Sequence, residues 1–324
     1  MERLEQIKQP ISNEFEVFKQ KFDASLQSSN PLLGEVINFI KQRKGKMMRP
    51  MLTLLMAKLC GEIKDPTYYV AISLELLHTA SLVHDDVVDE SDKRRGQSSV
   101  NAIYDNKVSV LVGDYLLATS LTNAAMTGDV QLVELVGRLG QELSEGEIIQ
   151  LNNINASDFS EEVYFEVIKK KTAALFAAAA EAGAISVKCS DEMAKNAYLF
   201  GELIGIAFQI KDDIFDYYTS DVLGKPTGND MREGKLTLPA LYVLNTLKDP
   251  AMNELALKIR ALEATDEEIA RFIAYIKENG GIDYATKVMI EYRNEALSIL
   301  PESISDDLKL ALTSFIDYVI ERNK

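Results

Sequence analysis

The chain has 324 residues, of which 47% are hydrophobic and only 17 are glycine and 8 proline. Abundant leucine, alanine, isoleucine, glutamate and lysine favour helices, and the length allows either two average domains or one large helical domain. The formal net charge of −15 argues against nucleic acid as a partner, because phosphate backbones are bound through a basic surface.

The cysteines and the apolar segments limit the cellular compartments in which the protein is expected. Cys60 and Cys189 are too few and too far apart in the sequence for a disulfide framework or a zinc site, so we expect a reducing compartment, the cytoplasm. The N-terminal residues contain neither a signal-peptide core nor an arginine-rich transit segment. The longest apolar stretch, residues 173–187, is mostly alanine and contains Glu181. It is too short and too polar to cross a bilayer, and we expect it to pack closely against a neighbouring helix.

Helix starts can be read along the chain from hydroxyl and acidic residues in capping positions. The clearest starts are at Asp65, Ser160, Ser190, Thr265 and Ser305. Thr265 has the capping-box spacing, with Glu268 three residues later. Sustained β-alternation is absent, so the sequence predicts an all-α fold of ten or more helices joined by short polar turns. Two longer polar loops interrupt the pattern, at residues 90–99 and 220–230.

Two aspartate triplets end long apolar segments, where acids are unexpected. Residues 85–89 read DDVVD after the apolar run 74–84, and residues 212–216 read DDIFD after the run 199–210. On a helix, the first and last aspartate of a triplet share a face one turn apart, where like charges repel and oppose the macrodipole. Such a cluster of oxygen ligands suits Mg²⁺, which typically binds one or two carboxylates together with substrate phosphates.

A solvated acidic helix surface is the alternative explanation of a single triplet. Two copies with the same spacing argue against it. Basic residues of the kind that hold phosphate also follow each copy, namely Arg94 and Arg95 after the first, and Lys225 and Lys235 after the second. The sequence therefore favours metal-assisted binding of a small phosphorylated substrate.

These residues also carry a family resemblance. Residues 78–91 together with 94–96 resemble the first aspartate-rich motif of the trans-prenyl (polyprenyl) diphosphate synthases, and residues 208–216 resemble the second. Further matching segments, in the family's order, are residues 45–50, 171–172, 224–226 and 234–239. Lys44 departs from the pattern, since many members have a second glycine there. The resemblance, closest to long-chain members, implies one domain over residues 1–324, a helical bundle of the isoprenoid synthase type with a central substrate cavity.

The resemblance implies a reaction in which isopentenyl diphosphate is condensed with an allylic diphosphate, farnesyl or geranylgeranyl, after Mg²⁺-assisted ionisation. It implies three Mg²⁺ ions that bridge the allylic diphosphate between the two triplets. The principal ligands would be Asp85, Asp89 and Asp212. Supporting or occasional ligands would be Asp86, Asp213 and Asp216.

The resemblance also assigns the residues that bind the two substrates. The allylic diphosphate would be bound by Arg94, Lys171, Thr172, Gln209, Lys225 and Lys235. The carbocation would be stabilised by the catalytic group Lys171, Thr172 and Gln209, through side-chain oxygens and the backbone carbonyl near Lys171. Isopentenyl diphosphate would be bound by Gly45, Lys46, Arg49, His78 and Arg95. Without the motif, His78 would be interpreted as a hydrogen-bonded core histidine. The departing diphosphate would take the final proton.

Product length is predicted from the turn below the first triplet. On a helix, Ser81 lies one turn before Asp85 on the same face, with Ala80 beside it. Members that make short products tend to carry aromatic residues there, and many bacterial ones have a two-residue insertion in the triplet. Both features are absent here, so we expect a long-chain product, such as a quinone side chain, with the tunnel floor on the helix that contains residues 143–151.

Other functional classes are weighed against this one. A short-chain farnesyl or geranylgeranyl diphosphate synthase is the main alternative. A class I terpene cyclase would normally replace the second triplet by an Asn/Ser/Glu-type metal motif, and a non-catalytic partner subunit usually loses aspartates or the arginine pair. The resemblance further implies a homodimer without a membrane-spanning segment, for which release of a long product would allow a peripheral membrane contact.

Overall fold

The computed structural model describes residues 2–42, 45–94, 97–153, 158–218 and 227–321. These residues are almost entirely helical, which confirms the all-α prediction. The strands found in the described ranges are two short ones, β1 (Lys93–Arg94) and β2 (Gln97–Ser98), which pair antiparallel in the loop after the first triplet.

The described residues form sixteen α-helices. In chain order they are α1 Glu2–Lys8, α2 Ser12–Ser25, α3 Pro31–Lys41, α4 Met48–Cys60, α5 Asp65–Val88, α6 Val100–Met126, α7 Val130–Asn153, α8 Glu161–Ile168, α9 Ala174–Ser186, α10 Asp191–Phe215, α11 Asn229–Arg232, α12 Leu238–Leu247, α13 Pro250–Arg260, α14 Asp266–Glu278, α15 Gly281–Ile299 and α16 Asp306–Glu321. A 3₁₀ turn, Gln9–Ile11, follows α1, and a π-helical turn, Lys169–Ala173, joins α8 to α9. The predicted helix starts agree with these bounds.

The chain divides into two compact units. The first comprises Met1–Gly140, Leu175–Gly201 and Leu300–Tyr318, and the second comprises Gln141–Ala174, Glu202–Ile299 and Val319–Lys324. The first triplet belongs to the first unit and the second triplet to the second. The expectation of a single domain over residues 1–324 stays a prediction.

In the first unit, α5 carries the first triplet at its C-terminal end and packs mainly against α6. A buried hydrogen bond of 3.0 Å joins the hydroxyls of Ser73 and Ser120. Gly113 on α6 lies so close to the His84 ring that a Cβ there would come within 2.2 Å of Nε2. These contacts fix the turn of α5 from which the triplet follows.

The alanine-rich stretch forms α9 and packs closely against its neighbours, as predicted. A Cβ on Gly183 would lie 2.3 Å from the Thr53 carbonyl oxygen of α4. A Cβ on Gly201 of α10 would lie equally close, 2.3 Å, to the carbonyl oxygen of Phe176. Small side chains therefore let three helix backbones of this unit approach one another.

The two cysteines meet in the first unit although they are distant in the sequence. Cys60 ends α4 and Cys189 follows α9, and the two thiols lie close enough to influence each other's pKa. Both are free thiols, and burial raises the pKa of Cys60 to about 12, so that thiol stays protonated. Sequence separation was a poor guide to their proximity.

In the second unit, α10 carries the second triplet and α12 packs against α15. Tyr242 and Tyr284 stack with ring centroids 4.0 Å apart, and the Tyr284 hydroxyl donates to Glu161 at 2.9 Å. The predicted capping box at Thr265 and Glu268 is present. Throughout the described ranges, we find no helix with the length and apolar character needed to cross a bilayer.

The close approach at Gly183 gives a stability prediction. Gly183→Ala should lower the free energy of unfolding by about 1–3 kcal/mol, because the new methyl group meets backbone that cannot move aside cheaply. Gly137→Ala is the matched control, since nothing lies within 4 Å of a Cβ at this position of α7. It should raise the stability by roughly 0.5–1 kcal/mol through lower chain entropy in the unfolded state. Urea unfolding followed by circular dichroism measures both, and equal effects would contradict the packing described for α9.

Candidate active site

The middle aspartate of the first triplet is buried and held by protein donors. Asp86 is only 4% exposed and accepts a 2.7 Å hydrogen bond from Arg94 Nε on β1. Its backbone carbonyl accepts from Asn101 and from the Ser91 N–H. A charged carboxylate without such partners would be costly to bury, so Arg94 fixes the position of this acid.

The outer acids of the first triplet lie nearer to solvent. Asp85 is half-buried on the last turn of α5, and Asp89 is exposed at its C-cap. The helix is continuous through Val88, which confirms that Ser81 lies one turn before Asp85. Ala80, beside Ser81, is buried.

The second triplet repeats this arrangement with different donors. Asp213 is 3% exposed, and its two oxygens accept from the Tyr164 hydroxyl at 2.6 Å and from Gln209 Nε2 at 2.8 Å. Burial raises the pKa of Asp213 to about 7, while the two hydrogen bonds act in the opposite direction. Asp212, the first acid of this triplet, is half-buried.

Asp216 ties the end of α10 to the segment that starts α11. Its two carboxylate oxygens accept from the backbone N–H groups of Asn229 and Asp230, each at 3.0 Å. Burial raises the pKa of Asp216, and these two bonds oppose the shift. Burial also raises the pKa of Asp230, as do the nearby charges of Asp213 and Asp216. The second triplet therefore lies in a region where acids accumulate without full solvation.

Lys171 and Thr172 lie in the π-helical turn before α9, a kind of distortion that is frequent at functional sites. Two glycines allow it: a Cβ on Gly146 would lie 2.9 Å from Lys170 Cβ, and one on Gly205 would lie 2.5 Å from Ala173 Cα. The Lys171 ammonium forms an ion pair with Glu147 of α7, and the Thr172 hydroxyl donates to Gln209 Oε1 at 2.8 Å.

A cleft of about 830 Å³, counting its solvent-open part, lies within the second unit. Its cationic lining residues are Lys171, Lys235 and Arg260. Thr172, Gln209, Tyr164 and Asp213 line it as well. The cleft thus contains positive groups that can bind phosphate, together with oxygen atoms that can act as acceptors. Lys235 also donates to Glu233 at 2.6 Å.

Arg260 and Tyr164 are among the lining residues that sequence reasoning missed. Arg260 is buried, with its guanidinium over the Phe159 ring at 5.1 Å, and donates to the Asp158 carbonyl at 2.6 Å. It lies outside every motif, so the sequence carried no signal for it. Tyr164 precedes Lys171 by two helical turns, but only the fold brings it to Asp213, 49 residues later in the sequence.

The residues expected to bind isopentenyl diphosphate belong to the first unit. Gly45 and Lys46 are exposed just before α4, and the Lys46 ammonium lies 4.7 Å from the Tyr318 ring centroid. The Arg49 guanidinium lies 5.3 Å from the Phe176 ring centroid. Half-buried His78 lies on α5, which packs against α4. Arg95 of the same predicted set lies outside the described residues, as do Lys225 of the allylic set and Lys44.

No three acidic, histidine or cysteine side chains within the described ranges converge into a ready-made metal cage. Mg²⁺ does not require one, because it usually keeps several waters and binds one or two carboxylates together with substrate phosphates. The outer acids Asp85, Asp89 and Asp212 supply donors of this kind. The donor set therefore fits a metal that binds with its phosphorylated substrate.

The different roles within the triplets predict different stability effects. Asp216→Ala should lower the free energy of unfolding by about 1–3 kcal/mol, because two backbone N–H groups lose their acceptors. Asp89→Ala should change it by no more than about 0.5 kcal/mol, since this acid is exposed at a helix C-terminus. Urea denaturation in metal-free buffer measures both variants. A loss in Asp89→Ala as large as in Asp216→Ala would contradict the assignment of Asp216 as a structural anchor.

Comparison with known proteins supports the motif assignment. The model of the polyprenyl synthetase family matches residues 30–276. Octaprenyl diphosphate synthase of Haemophilus influenzae is 35% identical over 99% of this chain and 97% of its own length.

Solved structures agree over the whole chain. A geranylgeranyl pyrophosphate synthase from Bacteroides thetaiotaomicron is 51% identical with a TM-score of 0.87, and the match covers 99% of this chain and 100% of that one. A decaprenyl diphosphate synthase from Rhodobacter capsulatus is 33% identical with a TM-score of 0.91, covering 99% of both chains. The motifs, the all-α fold and these likenesses show that the chain belongs to the polyprenyl synthetase family of prenyl-transferring enzymes.

Proposed function

We propose that this chain condenses isopentenyl diphosphate with an allylic diphosphate and makes a long-chain all-trans polyprenyl diphosphate for quinone side chains. The observation that carries the proposal is the cleft of the second unit, where Lys171 and Lys235 lie beside the hydrogen-bonded pair Thr172 and Gln209. Cations suit a diphosphate, and oxygen acceptors suit a carbocation. Both are needed when an allylic diphosphate ionises.

The allylic diphosphate is held by Lys171, Lys235, Arg94 and Lys225. Mg²⁺ would be held chiefly by Asp85, Asp89 and Asp212, with three ions per active site. When bound, the metal neutralises charge on the leaving diphosphate. The buried acids Asp86 and Asp213 support this role by fixing the helix ends from which their neighbours project.

The reaction starts when the allylic C–O bond breaks and both electrons leave with the diphosphate. Positive charge then develops on the allylic carbons, where the oxygens of Thr172 and Gln209 stabilise it without forming a bond. The double bond of isopentenyl diphosphate attacks the cation to form the new carbon–carbon bond. The released diphosphate takes the proton that the condensed cation loses, and a new allylic diphosphate results.

Isopentenyl diphosphate must bind without being ionised, so its diphosphate is placed on protein cations and not on metal. We assign this role to Lys46, Arg49, His78 and Arg95, with Gly45 allowing close approach of the backbone. The charge on Arg49 and the position of His78 on the neighbouring helix support this assignment.

The small residues Ala80 and Ser81 support a long product, because neither blocks a chain that passes one turn below Asp85. Geranylgeranyl diphosphate synthesis is the second candidate. It is favoured by one observation, the 51% identity to the geranylgeranyl pyrophosphate synthase from Bacteroides thetaiotaomicron. Product sizing separates the two.

A homodimer in the cytoplasm is part of the proposal. Exposed apolar side chains on α6 and α7 support self-association, notably Leu111, which is 67% exposed, and Val130, which is 80% exposed. The free thiols of Cys60 and Cys189 fit a reducing compartment.

The metal assignment predicts that both triplets are needed for turnover. Asp85→Ala and Asp212→Ala should each lower the rate by roughly 10²–10⁴-fold, equivalent to about 3–5 kcal/mol of transition-state stabilisation. Asp92→Ala, which removes an exposed acid from the loop after the first triplet, is the matched control. Incorporation of labelled isopentenyl diphosphate measures the rate, and circular dichroism checks the fold. Near-normal turnover in either folded triplet variant would rule out the metal assignment.

The product-length assignment predicts that an aromatic ring at Ser81 shortens the product. In Ser81→Phe the ring lies one turn below Asp85, so elongation should stop at about three or four isoprene units while the first condensations proceed. Thr79→Phe is the control, because residue 79 points to the opposite side of α5. Overpacking can cost about 1–3 kcal/mol, so thermal unfolding is measured alongside. A stable Ser81→Phe enzyme with the unchanged product would show that the chain does not pass this residue.

A further inference from the structure

Four side chains of the second unit form an unbroken row of hydrogen bonds. The Tyr164 hydroxyl donates to Asp213 Oδ2 at 2.6 Å, Gln209 Nε2 donates to Asp213 Oδ1 at 2.8 Å, and the Thr172 hydroxyl donates to Gln209 Oε1 at 2.8 Å. All four residues line the cleft. The row joins a buried tyrosine, through a buried acid, to the half-buried threonine of the π-helical turn.

The direction of these bonds is fixed by the acid. In its ionised form, which the hydrogen bonds from Tyr164 and Gln209 favour, the Asp213 carboxylate only accepts hydrogen bonds, so the group of Gln209 that faces it is the NH₂. The amide oxygen of Gln209 then faces Thr172. A threonine hydroxyl has a single proton, and Thr172 donates it in the hydrogen bond to Gln209. The Thr172 oxygen can therefore present only lone pairs to the cleft.

The opposite orientation of the Gln209 amide would change the group that Thr172 presents to the cleft. If the Gln209 amide were reversed, its oxygen would face the carboxylate of Asp213 and its NH₂ would donate to Thr172. The Thr172 proton would then be free to point into the cleft. A hydroxyl proton that points towards a carbocation repels it, whereas an oxygen lone pair attracts it. The direction of the hydrogen bonds therefore decides whether Thr172 stabilises or destabilises the carbocation.

Tyr164 is well placed to hold this direction. It is 6% exposed, and its ring packs edge-on against Phe165 with centroids 5.3 Å apart. Protein packing, and not the substrate, therefore sets the position of its hydroxyl. With both Oδ atoms of Asp213 engaged, one by Tyr164 and one by Gln209, the carboxylate cannot rotate away from the row.

We propose that Tyr164 is a positioning residue for the carbocation step, which acts through Asp213 and Gln209 to keep the Thr172 oxygen as an acceptor towards the cleft. The proposal rests on the proposed function. It assigns no contact between Tyr164 and the reacting carbons. Its specific consequence is a preference of the cleft for positive charge on the isoprenoid chain.

The test compares two unreactive diphosphates of equal size, one with an ammonium nitrogen in place of an allylic carbon and one with the uncharged carbon. The ratio of their Kd values, measured by calorimetry with Mg²⁺ at fixed pH, reports the preference for the cation. In Tyr164→Phe this ratio should fall by about tenfold, the effect of one hydrogen bond to a charged group. The kcat should fall by a similar factor, while KM for both substrates stays near that of the unmodified chain.

Tyr284→Phe is the matched control, since it removes another tyrosine–carboxylate hydrogen bond in the same unit, away from the cleft lining. Its ratio should not change. Asp213→Asn is a second variant in case Tyr164→Phe fails to fold, because an asparagine amide can donate to Gln209 and reverse the row. Its ratio should also fall.

The possible outcomes distinguish an error in the proposed function from an error in the positioning role of Tyr164. If the unmodified chain forms no elongated product, the proposed function is wrong. If it elongates normally but folded Tyr164→Phe or Asp213→Asn keeps the full preference for the ammonium compound, the positioning role of Tyr164 is wrong. A loss of thermal stability without a change in the ratio would likewise overturn it, since that is the result of a purely structural hydrogen bond.

Discussion

The burial of one carboxylate at the end of each triplet-bearing helix is the constraint on which the rest of the site depends. Asp86 and Asp213 lie where apolar helices end, and an unpartnered charge there would cost several kcal/mol. Arg94 satisfies the first acid, and Tyr164 with Gln209 satisfies the second. The donors thereby fix the last turn of each helix, which also carries the neighbouring acids Asp85 and Asp212.

The same constraint extends into the cleft of the second unit. Gln209 serves Asp213 with its NH₂ and Thr172 with its oxygen, so the buried acid also determines what the π-helical turn offers a substrate. Gly146 and Gly205 make the turn possible by leaving room for its wider backbone. Helix packing, a buried charge with its hydrogen-bond donors, and the orientation of the Thr172 hydroxyl are therefore parts of one arrangement.

Local signals in the sequence were sufficient for the helices and for the motifs. Capping residues such as Thr265 marked helix starts, and the spacing of each triplet indicated a shared acid face. The pairing of Tyr164 with Asp213 was not predictable, because it depends on tertiary packing between residues that are 49 positions apart in the sequence. Arg260 and the contact between Cys60 and Cys189 were missed for the same reason. The resemblance ranked Asp85, Asp89 and Asp212 above Asp86, Asp213 and Asp216 as metal ligands, which stays a prediction. In the structure, the last three accept hydrogen bonds from protein donors.

The central claim is that this chain, by itself, extends an allylic diphosphate beyond twenty carbons. The most direct measurement is the product of the purified protein incubated with farnesyl diphosphate, excess labelled isopentenyl diphosphate and Mg²⁺, with chain length resolved after removal of the phosphates. The account predicts all-trans products longer than geranylgeraniol, and no product when the metal is chelated. Accumulation of the twenty-carbon product alone, with isopentenyl diphosphate still in excess, would contradict it.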